Sequence, residues 1–218
     1  MARLHKEPPM SIDVARHIGA VVRRVEDRQV DGRPARVVVA TRSYDTTVED
    51  LWDAITSAER IPRWFLPVRG ELKLGGRYQL EGNAGGTVTA CEPPTRLSLT
   101  WEFGGGISWV NVALSADGDR ARLELEHIAH VEDHWRQFGP GAVGIGWDLS
   151  LIALARHLAG EPYDEAAFSA SDEGKAFIHG SGEGWREADI ASGEDAAAAT
   201  ERAARTVAFY TGGGGHQH

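Results

Sequence analysis

Residues 96–127, RLSLTWEFGGGISWVNVALSADGDRARLELEH, contain the pattern that decides the fold. Apolar residues alternate with polar ones along three stretches, which is typical of strands with one buried face. Gly104-Gly105-Gly106 separates the first two stretches, and Asp117-Gly118 is a strong two-residue hairpin signal between the second and the third. The same alternation, interrupted by glycine and proline turns, extends back to about residue 70. The sequence therefore predicts an antiparallel meander.

The hairpin register decides which side chains share the buried face of this meander. A two-residue turn at Asp117-Gly118 places Val112 opposite Leu123. Trp109 and Asn111 are then predicted to point outward. The side chains predicted to point inward are Trp101, Val110, Val112, Leu114, Leu123, Leu125 and His127.

A strand and two helices are predicted to flank the meander. Residues 36–44 are rich in β-branched side chains, which favours a first strand. Residues 48–56 follow a polar cap region and carry apolar side chains on one helical face. After the meander, a broad apolar stripe over residues 143–158 predicts a long helix that ends at Gly160. We expect this helix to lie across the sheet and to cover the core.

The chain is divided by composition and charge into four parts. These are a basic helical leader (1–35), a core domain (36–160), an acidic helical extension (161–211) and a disordered tail (212–218). In the leader, Ser11 is a suitable N-cap, and apolar residues at helical spacing predict one helix through Val25. Asp31-Gly32 is interpreted as the break that ends the pattern.

The extension is predicted to form two helices. The first begins at Ser171, and the glycines between 180 and 184 are expected to weaken it or break it. Ser192 or Gly193 is predicted to cap the second, which continues to Tyr210. The aromatic residues of the extension are predicted to be ordinary packing contacts, or else to dock over the mouth of a pocket. They are Phe177, Trp185 and Tyr210.

Composition excludes several classes of protein and partner. The chain has 218 residues, 42% of them apolar, and a net charge of −9, which disfavours nucleic acid and anionic membranes as partners. The single cysteine, Cys91, excludes an intramolecular disulfide and a multi-cysteine zinc site. Since no apolar run is long enough for a bilayer and the first residues lack the apolar core of a signal peptide, we expect a soluble cytoplasmic protein.

The order of elements resembles the START-like or SRPBCC superfamily, and local sequence is most similar to its heat-shock protein 90 ATPase activator branch. The resemblance implies an α+β helix-grip fold, a curved antiparallel sheet wrapped around a long C-terminal helix, with an apolar cavity between them. The leader helix and the helical extension lie outside it, and a bacterial, stress-related role is the expectation that follows. The stretches that carry the resemblance are TRSYDTTVEDLWDAIT at 41–56, Arg63-Trp64, GGRYQLEG at 75–82, PPTRLSLTWEF at 93–103, RLELEH at 122–127 and GWDLSLIALARHL at 146–158.

Motifs of common enzymes are missing from the sequence. No Gly-x-Ser-x-Gly elbow, Walker loop or His-Glu-x-x-His occurs, and Gly141-x-x-Gly144-x-Gly146 is interpreted as small residues that let the long helix approach the sheet. His127 and His130 would point to opposite faces of one strand, so we predict no metal site and no cofactor. His127 itself has two interpretations. It is a core histidine bonded to backbone or water, or a polar group that orients a ligand or shuttles a proton.

Large rings from three elements, Trp64, Trp101 and Trp147, are expected either to line one cavity or to fill it. We predict a small hydrophobic-ligand-binding protein without catalytic activity. The first alternative is a co-chaperone-like module with a chaperone or other protein partner, and the second is a polyketide cyclase or hydrolase that uses His127. The candidate ligand-binding residues are Trp64, Tyr78, Leu80, Leu99, Trp101, Phe103, Val112, Leu125, His127, Trp147 and Leu151.

Overall fold

One eight-stranded antiparallel sheet forms the frame of the protein in a computed structural model, which describes residues 12–212. Its strands lie in the spatial order β1-β2-β8-β7-β6-β5-β4-β3, so β8 pairs with both β2 and β7. The predicted meander corresponds to β4 through β8. The strand bounds are β1 Val22–Val30, β2 Arg33–Tyr44, β3 Val68–Gly70, β4 Arg77–Leu80, β5 Gly85–Glu92, β6 Arg96–Phe103, β7 Gly106–Asp117 and β8 Arg120–His130.

Seven α-helices accompany the sheet in the described part of the chain. They are α1 Val14–Gly19, α2 Val48–Thr56, α3 Asp133–Phe138, α4 Gly141–Leu158, α5 Glu165–Ala170, α6 Asp172–Ala191 and α7 Ala196–Thr211, with a 3₁₀ turn at Ile61–Arg63. Leu149 and Ile152 of α4 pack with Val38 and Val110 of the sheet in one core. This confirms the predicted α+β helix-grip fold, in which a curved sheet holds the long helix.

The leader differs from the prediction. α1 ends at Gly19, and the segment predicted to continue as helix through Val25 is strand β1, which pairs with β2 along its whole length. Asp31-Gly32, with φ of +51° and +73°, forms the tight turn of this hairpin. Valines four residues apart fit the period of a strand as well as that of a helix, which explains the wrong prediction. Ser11 lies outside the described residues, and Asp13 caps α1.

The division of the chain at residue 35 stays a prediction, and it falls within the β1–β2 hairpin.

The predicted register of the β7–β8 hairpin is wrong by two residues. Val112 lies opposite Leu125, because the turn is made by Gly118 and Asp119. An even shift leaves every side chain on its predicted face, so His127 points inward with the other predicted residues. Trp109 lies on the opposite face, as predicted, and it packs there against a small cluster of buried residues.

The extension packs against the side of α4. α6 is continuous through its glycines, and Ser171 caps it as predicted, while Asp195 rather than Ser192 or Gly193 caps α7. A Cβ atom on Gly144 would lie 2.4 Å from Trp185, so this glycine admits a ring of α6. The prediction that it lets α4 approach the sheet is therefore wrong. The tail beyond Gly212 lies outside the described residues.

A buried carboxylate ties these additions to the core. Asp148 of α4 is fully buried, and its Oδ2 accepts from Arg23 of β1 at 2.9 Å and from the indole N–H of Trp185 at 3.1 Å. Burial raises the pKa of Asp148, and the Arg23 guanidinium opposes that rise. Since Phe177 and Trp185 are also fully buried, the extension is part of the core rather than an appendage.

Candidate functional site

Two cavities lie between the sheet and the helices. The inner chamber, about 330 Å³, is lined by apolar side chains of the meander, α2 and α4. The outer chamber, about 1270 Å³, lies at the end of the sheet where the β6–β7 turn meets α3, the start of α4 and the end of α7. This geometry favours the prediction that the tryptophan rings line the space over the alternative in which they fill it. The residues that line both chambers are Trp64, Phe65, Trp101, Trp147 and Ser150.

Four of these shared residues form what we call the aromatic partition: Trp64, Phe65, Trp101 and Trp147. The ring centroids of Trp64 and Phe65 are 5.4 Å apart and stacked, and those of Phe65 and Trp147 are 6.2 Å apart. Trp101 meets the Trp147 ring edge-on at 5.3 Å. The Trp64 indole N–H donates to the carbonyl of Ala54 at 2.9 Å, which anchors the loop after the 3₁₀ turn to α2. The partition is thus assembled from a loop, a strand and a helix.

His127 lies next to the aromatic partition and lines the outer chamber. The Trp147 indole N–H donates to Nδ1 of His127 at 3.0 Å, and Nε2 lies 2.9 Å from the hydroxyl of Ser108. Because an indole N–H can only donate, Nδ1 is unprotonated and the imidazole proton resides on Nε2. The Ser108 hydroxyl then accepts from His127 and donates to the carbonyl of Trp101 at 3.2 Å.

This hydrogen-bond chain decides the chemistry of the Ser108–His127 pair. The spacing is that of a nucleophile and its base, but the nitrogen facing the serine already carries a proton and cannot accept another. Burial lowers the pKa of His127 from 6.5 to about 4, so the ring is neutral at pH 7. Both ring nitrogens are engaged within the protein. The arrangement favours the interpretation of His127 as a core histidine, although its partners are the side chains of Trp147 and Ser108 rather than the predicted backbone or water.

All the predicted ligand-binding residues lie around the two chambers, and their role in binding stays a prediction. Phe103 is 40% exposed, at the mouth of the outer chamber. Trp64, Trp101 and Trp147 line both chambers, and His127 lines the outer one. Those that line the inner chamber alone are Tyr78, Leu80, Leu99, Val112, Leu125 and Leu151.

Sequence reasoning missed several lining residues. Phe65 and Ser108 line the space but were not among the predicted binding residues. The extension contributes a wall of the outer chamber through Tyr163, Phe209 and Tyr210. Of the aromatic residues predicted to dock over a pocket mouth, only Tyr210 does so. Phe177 and Trp185 are instead fully buried, and Gly144 of α4 leaves room for the Trp185 ring.

The described part of the chain does not bring metal-binding side chains together. Within residues 12–212, no group of three or more His, Cys, Asp or Glu side chains is placed to hold a metal ion. His130 meets Trp109 edge-on, with ring centroids 5.3 Å apart, and both His130 and His127 line the outer chamber. Across the same residues, no helix combines the length and apolar character that a bilayer crossing requires.

Comparison with known proteins places the chain among helix-grip proteins. The sequence model of the family described as "Activator of Hsp90 ATPase homolog 1-like protein" matches residues 45–159. The crystal structure of CalU16 from Micromonospora echinospora is 34% identical and superposes with a TM-score of 0.67, covering 78% of this chain and 98% of that one. Its solution structure is 32% identical with a TM-score of 0.68, covering 79% and 97%.

A more distant structure shares the fold alone. DynU16, described as a protein in the dynemicin biosynthetic locus, is 21% identical with a TM-score of 0.52, covering 58% of this chain and 48% of that one. No curated protein matches the sequence. The likeness to CalU16 covers 78% of the 218 residues, which is more than the core domain 36–160 contains, so it includes part of the leader or of the extension.

Proposed function

We propose that this chain, which belongs to the Activator of Hsp90 ATPase homolog 1-like family, binds a small hydrophobic molecule between its sheet and α4 without transforming it. The observation that carries the proposal is the inner chamber, a space of about 330 Å³ to whose lining the residues from 12 to 212 contribute no charged side chain. A ligand that occupies the chamber would remove apolar lining side chains from water, which favours binding.

The aromatic partition supports the same proposal. The rings of Trp64 and Trp147 cannot rotate freely into the space, because their indole N–H groups are held by hydrogen bonds to Ala54 and His127. Large rigid rings provide contact area for a flat apolar ligand with little loss of side-chain entropy. Burial of the ligand would supply affinity at about 25 cal/mol per Å² of apolar area covered.

Cys91 provides the test. It is the single cysteine of the chain, is half-buried and lines the inner chamber. We expect 2-anthracenemethanol to quench tryptophan fluorescence saturably and to slow the reaction of Cys91 with N-ethylmaleimide. Val112→Phe, which fills the chamber, should abolish both effects, and Val22→Phe at an exposed edge position should leave them intact. Absence of saturable quenching together with an unchanged Cys91 reaction rate would refute the proposal.

A protein partner is the second candidate, because the description of the matching family names an activator of the Hsp90 ATPase. Deletion of the extension is not a usable test, since it would remove Phe177 and Trp185 from the core. The full-length chain is therefore added to an Hsp90-type chaperone, and its ATPase rate is measured. A saturable, stoichiometric increase would support this candidate, and an unchanged rate would exclude it. For the cyclase or hydrolase candidate, the protonated Nε2 of His127 is an unfavourable observation.

A further inference from the structure

We infer that the ligand is an amphipathic carboxylate, an apolar ring system with one carboxyl end, and that Arg63 binds the carboxyl group in the outer chamber. The inference rests on the proposed function and adds to it the chemical class of the ligand. It also gives the ligand a direction, with the rings at the partition and in the inner chamber and the carboxyl group outside.

The charged side chains that line the outer chamber differ in whether they have partners within the protein. Arg33 forms an ion pair with Glu132 at 3.1 Å, and Glu81 lies 3.8 Å from Arg69. Glu165 also lines the chamber and has partners in the protein. The Arg63 side chain lines the chamber and has no ion pair or hydrogen bond to any residue from 12 to 212. It is a cation at the cavity with its binding capacity unused.

Two neutral donors near the same chamber are also unused. The side-chain oxygen of Asn83 accepts from the backbone N–H of Ala84 at 2.6 Å, which leaves the amide N–H groups of Asn83 without an acceptor in the described chain. The indole N–H of Trp101 has no acceptor there either, although Trp101 lines both chambers. A wall with unused donors and an unused cation is complementary to a ligand that offers acceptors and negative charge.

The position of Arg63 suits a ligand that crosses the partition. Arg63 ends the 3₁₀ turn and directly precedes Trp64, whose indole is anchored to Ala54. The backbone of Arg63 is therefore held beside the partition, and its side chain lines the outer chamber. Because no charged residue of the described chain lines the inner chamber, a carboxylate would lose its hydration there without compensation and would stay in the outer chamber. The apolar rings have the opposite preference.

The test compares three probes that differ in one group: anthracene-2-carboxylic acid, 2-anthracenemethanol and 2-(aminomethyl)anthracene. Each is titrated into the full-length protein at pH 7 and low salt, with tryptophan quenching as the readout. We expect the carboxylate to bind about fivefold more tightly than the alcohol, as for a partly exposed ion pair, and the ammonium to bind most weakly. Added salt should reduce the difference between the acid and the alcohol.

Variants assign the preference to a residue. Arg63→Gln should remove the difference between acid and alcohol, and Arg63→Lys should keep part of it. Arg96→Gln makes the same charge change outside both chambers and should leave the preference intact. Arg63 has no ion-pair or side-chain hydrogen-bond partner among residues 12–212, so Arg63→Gln should fold normally, which circular dichroism and the melting temperature would verify.

The outcomes separate this inference from the proposed function. Equal binding of acid and alcohol by the unmodified protein, or an acid preference that persists in Arg63→Gln, would overturn the carboxylate assignment while the hydrophobic-ligand proposal stands. Failure of all three probes to quench tryptophan or to protect Cys91 would overturn both. Loss of the preference in Arg63→Gln alone would support both.

Discussion

The buried imidazole of His127 predicts a specific dependence of stability on pH. The pKa of His127 falls from 6.5 to about 4 on folding because the ring is buried without a charged partner. Between these two values the unfolded chain binds more protons than the folded one, so the free energy of unfolding decreases as pH falls. From these pKa values, His127 alone should reduce it by about 2 kcal/mol between pH 7 and pH 5.

The assay is urea unfolding followed by tryptophan fluorescence at pH 7 and pH 5, with His127→Gln as the comparison. Glutamine does not titrate and retains one acceptor and one donor for Trp147 and Ser108. Burial also lowers the pKa of His17 to about 4, but its contribution is present in both proteins and cancels in the difference. The variant should lose about 2 kcal/mol less than the unmodified protein over this pH range. Equal losses in the two proteins would refute the assigned neutral, buried state of His127.

Two further predictions concern side chains that hold the architecture. Trp147→Phe keeps a ring in the partition but leaves Nδ1 of His127 without its donor. The free energy of unfolding, measured with urea, should fall by about 1–3 kcal/mol. An unchanged unfolding midpoint would contradict the hydrogen bond. Gly144→Ala places a Cβ atom 2.4 Å from Trp185 and should lower the free energy of unfolding by about 1–3 kcal/mol in the same measurement. The control is Gly19→Ala, whose new Cβ has no atom within 4 Å and which should leave the stability nearly unchanged. Equal effects of the two glycine substitutions would contradict the close approach of α6.

The inward-facing set of the meander could be predicted because side chains alternate strictly along a strand. The predicted β7–β8 register was wrong, and Val112 lies opposite Leu125 rather than Leu123. Since the error was two residues, it changed cross-strand partners but no faces. Phe103 was also predicted to line the site, and it does so at an exposed edge where alternation no longer implies burial.

The details of the site depended on contacts between distant segments. The proton position on His127 follows from the indole of Trp147, which comes from another element. Tyr163, Phe209 and Tyr210 reach the outer chamber only because the extension folds back beside α4. Each of these contacts joins residues far apart in the chain, and local periodicity carries no information about them.

The amino-acid order alone determined the class of fold, the long helix and the face on which most lining side chains lie. These follow from backbone periods of two and 3.6 residues, which act over short distances. Only the tertiary structure decided that space remains inside the grip, that aromatic rings divide it, and that Arg63 lies beside it with no ion-pair partner among residues 12–212. Packing volume and the pairing of charges depend on every neighbour of a side chain, and those neighbours come from across the whole chain.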